Sequence, residues 1–212
     1  KGSIVDSFPA IEIDKVKAWD FRLANINTSE CLNVAYGVDA NYLDGVGVSI
    51  TSIVLNNRHI NLDFYIIADV YNDGFFQKIA KLAEQNQLRI TLYRINTDKL
   101  QCLPCTQVWS RAMYFRLFAF QLLGLTLDRL LYLDADVVCK GDISQLLHLG
   151  LNGAVAAVVK DVEPMQEKAV SRLSDPELLG QYFNSGVVYL DLKNSLSIKS
   201  FKPKLSFWIL PT

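Results

Sequence analysis

The sequence predicts an α/β protein in which a mostly parallel sheet is flanked by helices, and three observations carry that expectation. Apolar runs of strand length alternate with segments whose apolar residues recur at helical spacing. The predicted strands lack a polar face, as strands covered on both sides do. With 212 residues, half of them hydrophobic, the chain is long enough to bury one sizeable core, so one compact domain is the default.

Residues 1–30 mix charges with short apolar pieces such as Ile11-Glu12-Ile13 and carry no sustained period; they read as a leader segment packed on the outside. The domain proper is expected over residues 31–193. Its first firm strand is residues 32–37, which empties into Val38-Asp39-Ala40-Asn41-Tyr42. Val46, Ile50, Ile53 and Val54 then recur at helical spacing, with Asn56-Asn57 as a stop. Residues 62–68 form a second strand, and Asn72-Asp73 caps a helix with Phe76, Ile79, Ala80, Leu82 and Ala83 on its apolar face. A third strand covers residues 88–95. After a loop, residues 110–123 read as a helix that starts at Ser110 and stops at Gly124, carrying Arg111 and Arg116 on an apolar body. The strand Arg129-Leu130-Leu131-Tyr132-Leu133 delivers Asp134-Ala135-Asp136 to its carboxyl end, followed by a turn at Lys140-Gly141-Asp142 into a short helix. Residues 154–159 are expected to be a buried strand, and Tyr182-Phe183-Asn184-Ser185-Gly186 a turn leading into the last strand. The stretch 194–212, with Pro203 and Pro211 and no clear period, reads as an atypical tail.

A formal net charge of −1, with Lys and Arg spread along the chain, gives no electrostatic footprint for nucleic acid. No apolar run approaches the roughly 20 residues that span a bilayer, and residues 1–30 contain no signal-peptide core, so a soluble intracellular protein is expected. Of Cys31, Cys102, Cys105 and Cys139, only Cys102 and Cys105 have metal-like or redox-like spacing. With no second pair and no histidine nearby in sequence, ordinary reduced thiols are expected. Gly45-Val46-Gly47 does not extend to a third glycine and falls inside a helix, so it is no dinucleotide fingerprint. His59 and His148 are isolated and read as surface histidines.

The chemistry is expected at the strand ends. Ligands of open α/β sheets bind outside the carboxyl ends of the strands. Asp134 and Asp136 would point to one side of an extended backbone, and two carboxylates that close repel unless a cation or an arginine neutralises them. A hard divalent ion, Mg²⁺ or Mn²⁺, with positions left for phosphate oxygens is the natural partner; the bland reading is a solvated strand end. Arg116, on a helix apolar on most sides, needs an anionic partner, whether a ligand or a structural ion pair. Asp39 and Asn41 have the groups to read a ribose or a base edge, and equally those of a turn.

Taken together, Asn33-Val34-Ala35-Tyr36-Gly37-Val38-Asp39-Ala40-Asn41-Tyr42, Ser110-Arg111-Ala112-Met113-Tyr114-Phe115-Arg116-Leu117, Leu131-Tyr132-Leu133-Asp134-Ala135-Asp136 and Tyr182-Phe183-Asn184-Ser185-Gly186-Val187 resemble glycosyltransferase family 8, and within it the bacterial lipopolysaccharide core glucosyl- and galactosyltransferases. The resemblance implies a GT-A fold and a retaining hexosyl transfer from a nucleotide sugar, UDP-glucose foremost, to a lipopolysaccharide core sugar. The protein would then be cytoplasmic, peripheral at the inner face of the inner membrane, with membrane contact through the acceptor or through the family's C-terminal part. By position, Asp39 and Asn41 would hold the uridine, with Gly37 and Val38 lining the base. Asp134, Ala135 and Asp136 would meet the diphosphate, the two acids through the metal. Arg116 and Asn184 would contact the donor sugar or its phosphate, and Asp161 matches an acidic position near the acceptor.

The same resemblance implies an Asp-Gln-Asp segment and a His-x-x-Gly-x-x-Lys-Pro-Trp segment that supply a histidine metal ligand and a phosphate-binding lysine. Lys202-Pro203 and Trp208 echo the latter only in part, so two of three metal ligands are expected on these residues. Two alternatives follow. One is a truncated form that binds nucleotide sugar without turnover. The other is a phosphatase of the haloacid dehalogenase type with Asp134 as nucleophile, although that motif normally sits on the first strand.

Overall fold

The computed structural model describes residues 11–23, 30–103, 105 and 110–193. The expected tail over 194–212 lies outside them. The elements are β1 (Ile13–Asp20), β2 (Cys31–Val38), α1 (Leu43–Asn56), β3 (Asn61–Ala68), α2 (Asp73–Asn86), β4 (Arg89–Ile95), α3 (Phe115–Leu123), β5 (Arg129–Leu133), β6 (Ala156–Lys160), α4 (Glu163–Leu173) and β7 (Phe183–Asp191). They build a seven-stranded sheet in the order β1-β4-β3-β2-β5-β7-β6. Strands β4, β3, β2 and β5 are mutually parallel; β7 runs antiparallel to both β5 and β6, and β1 antiparallel to β4.

Side-chain alternation divides the core into two layers. Leu32, Val34, Tyr36 and Val38 of β2 pack with Val46, Ile50 and Ile53 of α1 and Phe75, Ile79 and Ala83 of α2. Ala35, with Tyr65 and Ile67 of β3, meets Phe115, Phe118 and Ala119 of α3 on the opposite face. The central strands are buried on both faces because a helix layer covers each, which explains their continuous apolar runs. Helix α2 starts as expected, with Asn72 Oδ1 accepting the Phe75 N–H at 2.8 Å. Its fully buried residues include Phe75, which the sequence reading left out, while Phe76 and Leu82 pack at the margin.

Five elements differ from expectation. Residues 13–20, assigned to the outer leader, form the edge strand β1. A bulge between Lys15 and Lys17 puts Ile11 and Ile13 against one core layer and Val16 and Trp19 against the other, which erases any period. β6 is an edge strand rather than a buried one, with Val158 and Val159 43% and 58% exposed. The segment 110–123 opens with a 3₁₀ turn over Arg111–Tyr114 before the α-helix begins. Helix α4 was not anticipated. The expected turn at residues 182–186 is already strand from Phe183, and β7's register against β6 jumps from Val188 to Asn184, a bulge that shapes the site.

Candidate active site

Strand order reverses beside β2: the chain steps from β2 through β3 to β4 on one side, then places β5 on the other. This switch point opens a crevice between the carboxyl ends of β2 and β5, where loops diverge to opposite faces. Residues 37–42 leave β2 into it and residues 134–136 leave β5. Because β7 is antiparallel, it brings its amino end, Phe183 to Gly186, to the same place.

Asp134 sits where the three meet. Its backbone N–H donates to the Gly186 carbonyl at 2.9 Å, and its Oδ1 accepts from Arg116 Nη2 at 3.0 Å. Arg116 is 9% exposed and uses all sides of its guanidinium: Nε donates to the Met113 carbonyl at 3.0 Å, Nη1 to the Ser185 carbonyl, and the plane stacks over Tyr132 at 5.0 Å. Burial pushes the Asp134 carboxyl above the ordinary aspartate range, Arg116 pulls it back, and the charge of Asp136 raises it again. The two acids therefore feel each other, but not as neighbours on an extended strand. β5 ends at Leu133, and Asp134–Asp136 form a turn closed by Val137 N–H to the Asp134 carbonyl at 3.2 Å. Asp136 is exposed, and Asp134 is held against Arg116.

Two glycines admit this packing. A Cβ on Gly37 would lie 2.9 Å from Phe115 Cβ and 3.2 Å from the Arg116 nitrogen; one on Gly186 would lie 2.9 Å from Asp134 Oδ2. Both positions are glycine because another group occupies the Cβ volume.

Two adjoining hollows share Met113, Arg116 and Asp134 as a common wall. The first, about 160 Å³, is lined by Gly37, Val38, Asp39, Tyr42, Ala135 and Asp136 among others. Asp39 there caps a 3₁₀ turn through Oδ1 on the Asn41 N–H at 3.0 Å, while Oδ2 accepts from Ser110 Oγ at 2.7 Å. That bond ties the β2 loop to the segment carrying Arg116. The second hollow, about 250 Å³, is lined by Asp161, Met165, Gln181, Tyr182, Asn184 and Ser185 among others. Asn184 Oδ1 accepts the Gly186 N–H at 2.8 Å, and Asp161 Oδ1 accepts the Val162 N–H at 2.8 Å.

Every residue singled out from the sequence except Asn41 lines one of these hollows; Asn41 is exposed beside the first and meets Asp39 through its backbone. Sequence reasoning missed Tyr42, Ser110 and Met113 as lining residues, and Gln166. Gln166 is buried on α4 and joins the two rims of the second hollow, donating to the Asp161 carbonyl at 3.0 Å and accepting the Tyr182 N–H at 2.9 Å. A larger groove of about 720 Å³ lies between α1 and α2, away from the strand ends; its Lys78 and Asp44 pair with each other at 2.8 Å. The chemistry, not the volume, selects the crevice.

Asp134 and Asp136 carry the kind of oxygen donors that a hard divalent cation of the Mg²⁺ type takes, since such an ion binds through one or two carboxylates and leaves its other positions to substrate phosphates and water. Among the described residues no three His, Cys, Asp or Glu side chains converge into a closed cage. An open, substrate-completed site is what two carboxylates provide.

A mostly parallel seven-stranded sheet flanked by helices is the architecture of the GT-A glycosyltransferases, and solved members superpose on it. The galactosyltransferase LgtC, crystallised with donor and acceptor sugar analogues, matches with a TM-score of 0.70 at 20% identity, over 84% of this chain and 65% of that one. The bifunctional glycosyltransferase WbbM matches at 0.68 and 20% identity, over 89% of this chain and 37% of that one. Within this class the chain belongs to glycosyl transferase family 8, whose model matches residues 33–208. It is 95% identical over 202 residues to the lipopolysaccharide 1,2-glucosyltransferase of Escherichia coli strain K12, covering 95% of this chain and 60% of that protein. It is 36% identical to the lipopolysaccharide 1,3-galactosyltransferase of Salmonella typhimurium, over 82% of this chain and 52% of that one. The chain thus spans between half and two thirds of the length of these relatives. Family membership sets aside the phosphatase alternative.

Proposed function

We propose that these residues form the donor-binding part of an enzyme that transfers a hexose, glucose from UDP-glucose, to a sugar of the lipopolysaccharide core with retention of anomeric configuration. The observation that carries the reading is the position of Asp134 on the wall between the two hollows, where a diphosphate in one would meet a hexose in the other.

In this reading the loop 37–42 takes the uridine, with Asp39 and Asn41 accepting and donating to it and Gly37 and Val38 against the base. Asp134 and Asp136 hold Mg²⁺ or Mn²⁺ with Ala135 between them at the diphosphate. When bound, the cation acts as a Lewis acid towards the negative charge that grows on the leaving diphosphate. Arg116, already fixed by Met113, Ser185 and Asp134, orients the carboxylate and offers positive charge at the sugar–phosphate junction. Asn184 and Asp161 face the hexose and the acceptor from the second hollow. Among the described residues no helix is long and apolar enough to cross a membrane.

Isothermal titration with UDP, with and without Mn²⁺, tests the site: Mn²⁺-dependent binding that Asp134→Ala removes is expected, and UDP binding indifferent to both would sink the reading. Binding without hexose transfer to core oligosaccharide would instead assign this chain the role of a donor-binding form.

A further inference from the structure

We infer that α1 is a splint for the Asp-Ala-Asp turn, and that Asn57 and Ser52 are positioning residues through which the helix sets where Asp136 stands relative to the nucleoside loop. The inference rests on the reading of the crevice as a nucleotide-diphosphate site.

Asn57 ends α1 and is 0% exposed. A buried primary amide is costly unless its groups are bonded, and an apolar side chain would be the cheaper choice at this point in the core. Of the side-chain bonds of Asn57, one serves its own helix, Nδ2 to the Ile53 carbonyl at 2.9 Å. The others reach the stretch that follows the two acids: Nδ2 to the Gly141 carbonyl at 3.2 Å, and Oδ1 from the Ile143 N–H at 2.8 Å. Just over a turn earlier, Ser52 Oγ accepts the Cys139 N–H at 2.9 Å, and the neighbouring Asn56 donates Nδ2 to the Cys139 carbonyl at 3.1 Å. Both sides of the Cys139 residue are thereby fixed to α1. At the other end of the helix, a Cβ on Gly45 would come within 3.0 Å of the Ala135 carbonyl oxygen, so the first turn of α1 lies directly against the Asp134–Asp136 turn.

The contacts run in the same order on both partners: Gly45 on Ala135, Ser52 on Cys139, Asn57 on Gly141 and Ile143. From Gly45 to Asn57 a helix rises about 18 Å, at about 1.5 Å per residue. The contacts are therefore spread along most of the helix, from the turn itself to the segment that follows it. Because α1 begins right after the Asp39–Tyr42 loop, one rigid rod carries that loop at its start and clamps the cation-binding turn along its side. Loosening the far clamp should release Asp136 while leaving the nucleoside loop in place.

The test compares Asn57→Leu and Ser52→Ala in the 212-residue chain by titrating two probes, UDP with Mn²⁺ and uridine without metal. The expected result is a loss of about tenfold in Mn²⁺-dependent UDP affinity in both variants, the lower end of the effect of supporting residues on metal sites, with uridine affinity changed less than twofold. Equal losses for both probes would mean that the residues serve only general stability, and unchanged UDP affinity in folded variants would mean that they do not position the turn; either overturns the inference. If Asn57→Leu does not fold, Ser52→Ala, at a half-buried position, decides alone. Failure of the underlying site reading shows separately, as a lack of Mn²⁺-dependent UDP binding in the unaltered chain.

Discussion

Adding one methyl group at Gly186 probes how tightly the Asp134 carboxylate is held. In Gly186→Ala the new Cβ would lie 2.9 Å from Asp134 Oδ2 and 3.0 Å from Asn184 Oδ1, whereas ordinary contact starts near 3.4 Å. Gly186 is not among the positive-φ glycines, so the cost is one of space and not of backbone conformation. Asn184 is exposed and can turn to solvent, giving up its bond from the Gly186 N–H. Asp134 cannot, since Oδ1 is bonded to Arg116 at 3.0 Å and its N–H to the Gly186 carbonyl at 2.9 Å. The carboxylate must therefore yield by about half an ångström, which exceeds the roughly 0.2 Å tolerance of metal–ligand distances. Mn²⁺-dependent UDP affinity should fall about 10–100-fold, as when supporting groups of a metal ligand are lost. Stability should fall by only about 1 kcal/mol, the low end for overpacking with one movable neighbour. Titration calorimetry reads the first and urea unfolding the second. Affinity within twofold of the unaltered chain, in a folded variant, would refute the claim that this contact positions Asp134.

Three further outcomes follow from the ion pairs and thiols. Arg116→Ala leaves Asp134 without its counter-charge and strips donors from Met113 and Ser185, so urea unfolding should report a loss of about 2–3 kcal/mol that Arg116→Lys does not restore, because an ammonium lacks the planar fork. Asp63, 1% exposed at the opposite end of the sheet, bonds Arg22 at 3.3 Å as well as Arg89; Asp63→Ala should cost about 3 kcal/mol in the same assay, and a loss below about 1 kcal/mol would show that the two arginines simply rehydrate. Burial pushes the Cys31 thiol up to about 12, so the thiolate is scarce until pH rises towards that value. Iodoacetamide at pH 8 should therefore modify the exposed Cys102 and Cys105 and spare Cys31 in the folded chain, and rapid native-state labelling of Cys31 would contradict its burial.

The parts of the fold legible in the sequence are those whose pattern is set by local burial. β2 and β3 are covered on both faces and so read as unbroken apolar runs, and Asn72 announces α2 because it caps it. β1 was illegible because its bulge moves its apolar side chains from one core layer to the other. β6 was misjudged for the opposite reason: an apolar run says nothing about whether a neighbour covers it, and Val159 at the sheet edge is exposed. The same divide runs through the site. Asp134, Asp136 and Arg116 could be singled out because charge on an apolar element demands a partner. That Arg116's partner is Asp134 itself, that Gly186 must lack a Cβ, and that Gln166 joins both rims of the second hollow depend on segments far apart in sequence meeting in space.

β7's reversed direction constrains any route by which further residues reach the crevice. The strand enters the sheet at the ligand side with Phe183 and leaves at the opposite pole, where the Leu192 N–H bonds the Asp128 carbonyl at 2.9 Å, just ahead of β5. Nine residues of strand correspond to about 30 Å, so a later group destined for Asp134 has to be carried back over that distance. The return trip takes about 9 residues of extended chain or about 20 of helix, a minimum tether that separates Asn184 from any group approaching Asp134 from the same side of the sheet.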